Sequence, residues 1–326
     1  MAKQRLKPKL TREEMNNQYL NSIFEEFIAE KKALGREPDT LKAYQVTFNE
    51  FYKYFGERAE ETGDIVASMF IEWTNSMKDR GLRPATINHH LMGMRTFMYW
   101  CMDEERQYID RFKIRLVRVQ DEMPKDYTLE EVKALLKKPD SKEKKISVWR
   151  SWAVSCFVVG TGARLGTLVD IRMKDLDFQN GKVFYQHTKN KKLQTANMPP
   201  KLMRALKDYI AIWRADAGEE DYLFCDASGA KIAKQALTQG FRQYTKSRGV
   251  SKTTLHGLRH TFAREWFLNG GDVVQLSKVL GHSTLAMSEH YMNIYADTAR
   301  DRFIEFNPLE NIARTTTKKT LRPKGD

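Results

Sequence analysis

Cysteine is scarce, with three in 326 residues, and Cys101, Cys156 and Cys225 stand singly along the chain. Such spacing offers neither a disulfide framework nor a thiolate metal site, and it points to a reducing cytoplasm. No apolar run approaches the roughly 20 residues that span a bilayer. The opening MAKQRLKPKL has charge without an apolar stretch after it, so a secretory signal is not expected. Proline is sparse at nine residues, and no segment is of low complexity or internally repeated. Acidic surplus is also missing: 55 Lys+Arg outweigh 42 Asp+Glu, a formal net charge of +13. Up to Met123 the two signs balance at 20 each, leaving 35 basic against 22 acidic residues for the rest. A cationic C-terminal part favours a polyanionic partner.

What is present is helical periodicity. Tyr19, Leu20, Ile23, Phe24, Phe27 and Ile28 form one apolar stripe, and Leu41, Tyr44, Phe48, Phe51 and Phe55 a second. Val66, Phe70, Trp73 and Met77 make a third, followed by Ile87, Leu91, Met94, Met98 and Cys101. Pro38 and Pro84 start the second and fourth, where a missing N–H costs nothing. These four stripes predict a helical bundle over 15–108, behind a basic arm at 1–14. Charged, poorly periodic residues 109–125 read as a linker. A second domain over 126–312 opens with Thr128 and Glu131 placed as a capping box, and with Tyr127 and Val132 as a hydrophobic staple. Trp149 to Val159 reads as a buried helix ended by Thr161-Gly162. Asn180-Gly181 predicts a hairpin between strands Asp175–Phe178 and Lys182–Thr188, and a second turn, Lys189–Lys192, leads to a third strand. Helices follow over Lys201–Ala215, over Ala233–Lys246 and in a long run from His256. Residues 313–326 form a basic, apolar-poor tail. The fold class expected is mainly α with a small β-sheet.

Six residues together suit phosphodiester chemistry. Attack on a bridging phosphate adds negative charge to its oxygens. Arginine forks such as Arg164 and Arg259 can bind that charge without a metal. A phenol, Tyr291, can hold the strand covalently so that it can be rejoined. Tyrosine needs help in losing its proton, and His256 can act as the base while His282 donates to the phosphate. A lysine on a hairpin turn, Lys189, can protonate the leaving 5′-oxygen. Lys191 and Lys192 remain alternatives in that turn, and Tyr295 lies one turn after Tyr291.

The segments TGARLGTLVDIRMKDLD (161–177), TKNKK, HGLRHTFA (256–263) and LGHST…HYM (280–292) resemble the tyrosine recombinases, the phage integrase family, in order and in spacing. HxxR alone is a weak signal. HxxRH, then LGH, then a tyrosine nine residues after the second histidine is a strong one. The resemblance runs from about Met15 to Asn311. It implies a helical, SAM-like core-binding domain followed by a mixed α/β catalytic domain, with Arg164, Lys189, His256, Arg259, His282 and Tyr291 as the site. Thr167 stands where the family usually carries an acidic residue. The resemblance further implies strand exchange through a 3′-phosphotyrosyl intermediate and a Holliday junction, with no cofactor, metal or ATP. It implies double-stranded DNA with inverted-repeat sites as partner, a homodimer on each site and a homotetramer in synapsis. Thr40, Lys42 and Gln45 on the second helix, and Asn88, Met92 and Arg95 on the fourth, are expected to face the major groove. Phe303, Phe306, Leu309 and Ile312 suggest a final helix that docks on a neighbouring protomer. Integration or excision of a mobile element is the expected role. Xer-like resolution, a type IB topoisomerase and a non-catalytic DNA-binding regulator are the rivals.

Overall fold

Proline opens two of the N-terminal helices, and a left-handed glycine follows three of them. The structure, a computed structural model, describes residues 19–119, 126–186 and 194–281. Helix α1 spans Leu20–Ala33 and α2 Pro38–Phe55, the latter opening on its proline and ending at Gly56 with φ +55°. α3 spans Ala67–Asp79 and α4 Pro84–Cys101. Each of the four stripes becomes a helix. The third is buried from Met69 onward, because Val66 caps the helix and is exposed. The core of this unit is largely aromatic: Phe24 stacks on Phe48 at 3.9 Å, and Phe97 meets both rings edge-on. Trp73 packs edge-on against Phe51. Gly93 lets α4 approach α2, since a Cβ there would lie 3.0 Å from the Thr47 side chain. Residues 109–119 form no helix, yet Ile109 and Ile114 are buried in the same core.

The second compact unit is assembled around one helix. Thr128 and Glu131 exchange the two bonds of the capping box at the head of α5 (Leu129–Leu136). α6 (Ile146–Thr161) is apolar around nearly its whole circumference, as a central helix must be. Trp149, Trp152, Val154, Phe157 and Val158 are all buried. The helix stops at Gly162, whose φ of +67° closes the last turn. After a single turn, α7 (Leu165–Leu168), the chain forms an antiparallel sheet of β1 (Leu176–Asp177), β2 (Lys182–Tyr185) and β3 (Gln194–Asn197). The Asn180-Gly181 turn forms as expected, with Asp177 accepting from the Gln179 and Asn180 amides. β1 is shorter than the pattern suggested, because residues 173–175 form a 3₁₀ turn.

α8 (Pro200–Trp213), α9 (Lys234–Ser247) and α10 (Leu255–Leu268) pack against α6. The long run from His256 divides at Gly270-Gly271 into α10 and a separate α11 (Val273–Leu280). Gly271 cannot carry a side chain, since a Cβ would lie 2.1 Å from the Trp266 indole nitrogen. Asp272 then caps α11 through the Gln275 amide at 2.8 Å. No helix among the described residues is long and apolar enough to cross a membrane.

Candidate active site

Two arginines from separate elements converge on the C-terminal end of α11. Arg164 is the N-cap residue of α7, and its Nη2 donates to the Gly281 carbonyl at 3.0 Å. Arg259 lies one turn into α10 and is only 5% exposed. Its Nη1 donates to the Gly162 carbonyl at 2.6 Å, and its Nη2 to the Leu280 carbonyl at 2.9 Å. The two guanidiniums thus take adjacent carbonyls, Leu280 and Gly281. Helix C-termini present unpaired carbonyls and the negative end of the helix dipole, which favours cations there. Both glycines are left-handed, with φ +67° at Gly162 and +61° at Gly281. Gly162 also admits the close approach of Leu280, whose Cδ2 would lie 2.6 Å from a Cβ on that glycine. Burial draws the Arg164 guanidinium below its ordinary value, though arginine stays charged at physiological pH.

His256 lies three residues before Arg259 on α10, and its ring meets the His260 ring edge-on at 4.3 Å. Part of the ring is open to solvent. Desolvation of its inner side, followed by the charges of Arg259 and Arg164, lowers its pKa below the usual imidazole value. A neutral imidazole near pH 7 can accept a proton. Among the described residues Arg164 donates to a main-chain carbonyl. Lys189, Lys191, Lys192, His282, Tyr291 and Tyr295 lie outside the described residues, as do the series Phe303–Ile312, the basic arm and the tail. The segment carrying Lys189 leaves from Tyr185 and returns at Gln194, which are paired across β2 and β3. His282 directly follows Gly281 in the chain.

Two groups of residues escaped the sequence reading. Gln194 donates to the Val279 and Lys278 carbonyls, at 2.8 and 3.3 Å, beside those taken by the arginines. Along the start of α9, Lys234, Gln235, Thr238, Gln239 and Arg242 line a shallow depression with Leu165, the residue after Arg164. No local pattern marks Gln194, whereas the basic and polar face of α9 was visible in its spacing.

In the first unit, Lys42, Gln45 and Arg95 are exposed and Thr40 is half-buried. Gln45 donates to Asn49 at 2.9 Å, and Arg95 lies over the Tyr99 ring. Asn88 behaves differently. Its amide donates to the Val117 carbonyl and accepts from the Val117 amide, both at 2.8 Å, so it fastens residues 109–119 to α4.

Residues 125–297 match the phage integrase family. The tyrosine recombinase XerA of Pyrococcus furiosus is 24% identical over 297 residues, covering 90% of this chain and 96% of its own. The site-specific recombinase XerH, solved on its palindromic difH substrate after cleavage, superposes with a TM-score of 0.68 at 21% identity, over 86% of this chain and 82% of that one. The Tn1549 transposon integrase, solved with circular-intermediate DNA, gives 0.66 at 19%, over 84% and 94%. With its arginines converged and HxxR on α10 beside them, the chain belongs to the phage integrase family, the tyrosine recombinases that carry out site-specific DNA recombination.

Proposed function

We propose that this recombinase cleaves and rejoins double-stranded DNA through a 3′-phosphotyrosyl bond to Tyr291, without metal or ATP. The carrying observation is the convergence of Arg164 and Arg259 on neighbouring carbonyls at the end of α11. Guanidinium N–H groups that these bonds leave over can meet the two non-bridging oxygens of one phosphate. His256, kept neutral by its surroundings, takes the phenolic proton as Tyr291 attacks phosphorus. Lys189 returns a proton to the departing 5′-oxygen, and His282 donates to the phosphate. Reversal by another strand's 5′-hydroxyl rejoins the DNA and passes through a Holliday junction.

The first unit reads the site through α2 and α4, with Thr40, Lys42, Gln45 and Arg95 toward the major groove and Asn88 supporting that surface from behind. The enzyme works in the cytoplasm, as three free thiols suit. It binds inverted repeats as a dimer and pairs them as a tetramer linked through the apolar series Phe303, Phe306, Leu309 and Ile312. Integration or excision of a mobile element is its role, a reading supported by the likeness in fold to the Tn1549 integrase. A Xer-like resolvase is the second reading, favoured by the near full-length match to XerA. Recombination in vitro between the inverted repeats flanking the gene tests the first: excised circles are expected. Resolution of chromosome-dimer sites with no activity on the flanks would instead establish the second.

A further inference from the structure

At the end of α11 and its cap, the Val279, Leu280 and Gly281 carbonyls are taken by side chains from elsewhere in the fold, and the Lys278 carbonyl is shared between such a side chain and the Gly281 amide. Arg164 holds Gly281, Arg259 holds Leu280, and Gln194 holds Val279 and Lys278. The three donors come from α7, α10 and the first residue of β3. Gln194 also packs against Gly281 so closely that a Cβ there would lie 2.5 Å from its Oε1.

We propose that Gln194 is a positioning residue for strand cleavage, setting the end of α11 against which both catalytic arginines are aligned. This rests on the reading that Arg164 and Arg259 hold the scissile phosphate. A helix end leaves carbonyls that water competes for, and an unfastened last turn frays. Here the carbonyls that orient the two guanidiniums are the next two in that turn. Letting them drift moves both forks, and displacements of about 1 Å in a catalytic site can cost roughly 100-fold in rate. Gln194 suits the task because it donates without adding charge beside two arginines. It also ties α11 to the strand at which the Lys189-bearing connection ends, so the phosphate-binding groups and the hairpin share one anchor.

The test is single-turnover cleavage of a nicked suicide substrate by the full-length enzyme at saturating DNA. Gln194→Ala, and the nearly isosteric Gln194→Glu that cannot donate, are each expected to slow cleavage at least tenfold while Kd for DNA and Tm stay within twofold and about 2 °C of wild type. The same rates are then measured on a substrate whose scissile phosphate is a methylphosphonate, which lacks the charge the arginines neutralise. If Gln194 acts through them, its penalty should shrink in parallel with those of Arg164→Ala and Arg259→Ala. Undiminished cleavage in both Gln194 variants overturns the proposal. So does a penalty equal on both substrates while those of the arginine variants shrink. Should the arginine penalties themselves stay unchanged on the neutral substrate, the phosphate-clamp reading fails and takes this proposal with it.

Discussion

Proton placement at single residues decides the chemistry. With Tyr291 as nucleophile, Tyr291→Phe should abolish the detergent-resistant protein–DNA adduct on a suicide substrate and leave binding unchanged; loss of the adduct only in Tyr295→Phe would move the assignment four residues on. His256 makes a pH prediction. Its folded pKa is lowered, first by desolvation and then by Arg259 and Arg164, so the base form persists below the ordinary imidazole midpoint of about 6.5. Cleavage should rise with pH through a midpoint below that value. Removing one charge in Arg164→Gln should raise the His256 midpoint, read by NMR titration of its ring protons; a fall would contradict the electrostatic account. The stability sign follows the same shift. Between the two midpoints the unfolded chain binds more protons, so acidification through that window destabilises the fold. Arg164, His256 and Arg259 were legible because their segments keep order and spacing. Gln194 was not, since its partners lie more than eighty residues away and no period records such a pairing.

Elements were easier to foresee than their ends. The four apolar stripes, the Thr128–Glu131 capping box and the Asn180-Gly181 turn are local signals, and each appears as local physics requires. The division between α10 and α11 was concealed because apolar residues continue on both sides of Gly270-Gly271. Gly270, left-handed at φ +83°, ends α10, Gly271 leaves room for the Trp266 ring, and Asp272 caps the next helix. Asn88 shares the outward face with Arg95 on a helical wheel, and its amide closes on Val117. Asn88→Ala should therefore lower stability by about 1–3 kcal/mol, since it strands two backbone groups, and it should leave sequence preference unaltered in a binding-site selection. At the end of α6, Gly162→Ala imposes a left-handed backbone costing about 1–2 kcal/mol, with contact against Leu280 and Phe262 in addition. Thermal unfolding should fall by several degrees. Cleavage should fall further than stability explains, because the Gly162 carbonyl holds Arg259.

For the molecule as a whole, charge is segregated. The first 123 residues are neutral and the remainder carries the entire +13. Phosphate contacts made largely by that remainder should give DNA affinity a steep salt dependence, with log K falling by about 0.9 per log salt for each phosphate neutralised. Reversing basic residues of α9, such as Arg242→Glu, should flatten that slope, whereas Arg95→Ala should alter sequence preference more than slope. Cleavage should also continue in excess EDTA, and a strict requirement for magnesium would contradict arginine-based phosphate activation. The aromatic interior of the first unit has an evolutionary consequence. Phe24, Phe48, Phe97 and Trp73 lock the inner sides of the bundle, while Lys42, Gln45 and Arg95 stand on its outside and contribute little to that lock. Outward positions can thus mutate with small effect on folding, so on the proposed reading, in which they face the DNA, a lineage can drift to new target sites one side chain at a time without passing through an unstable ancestor.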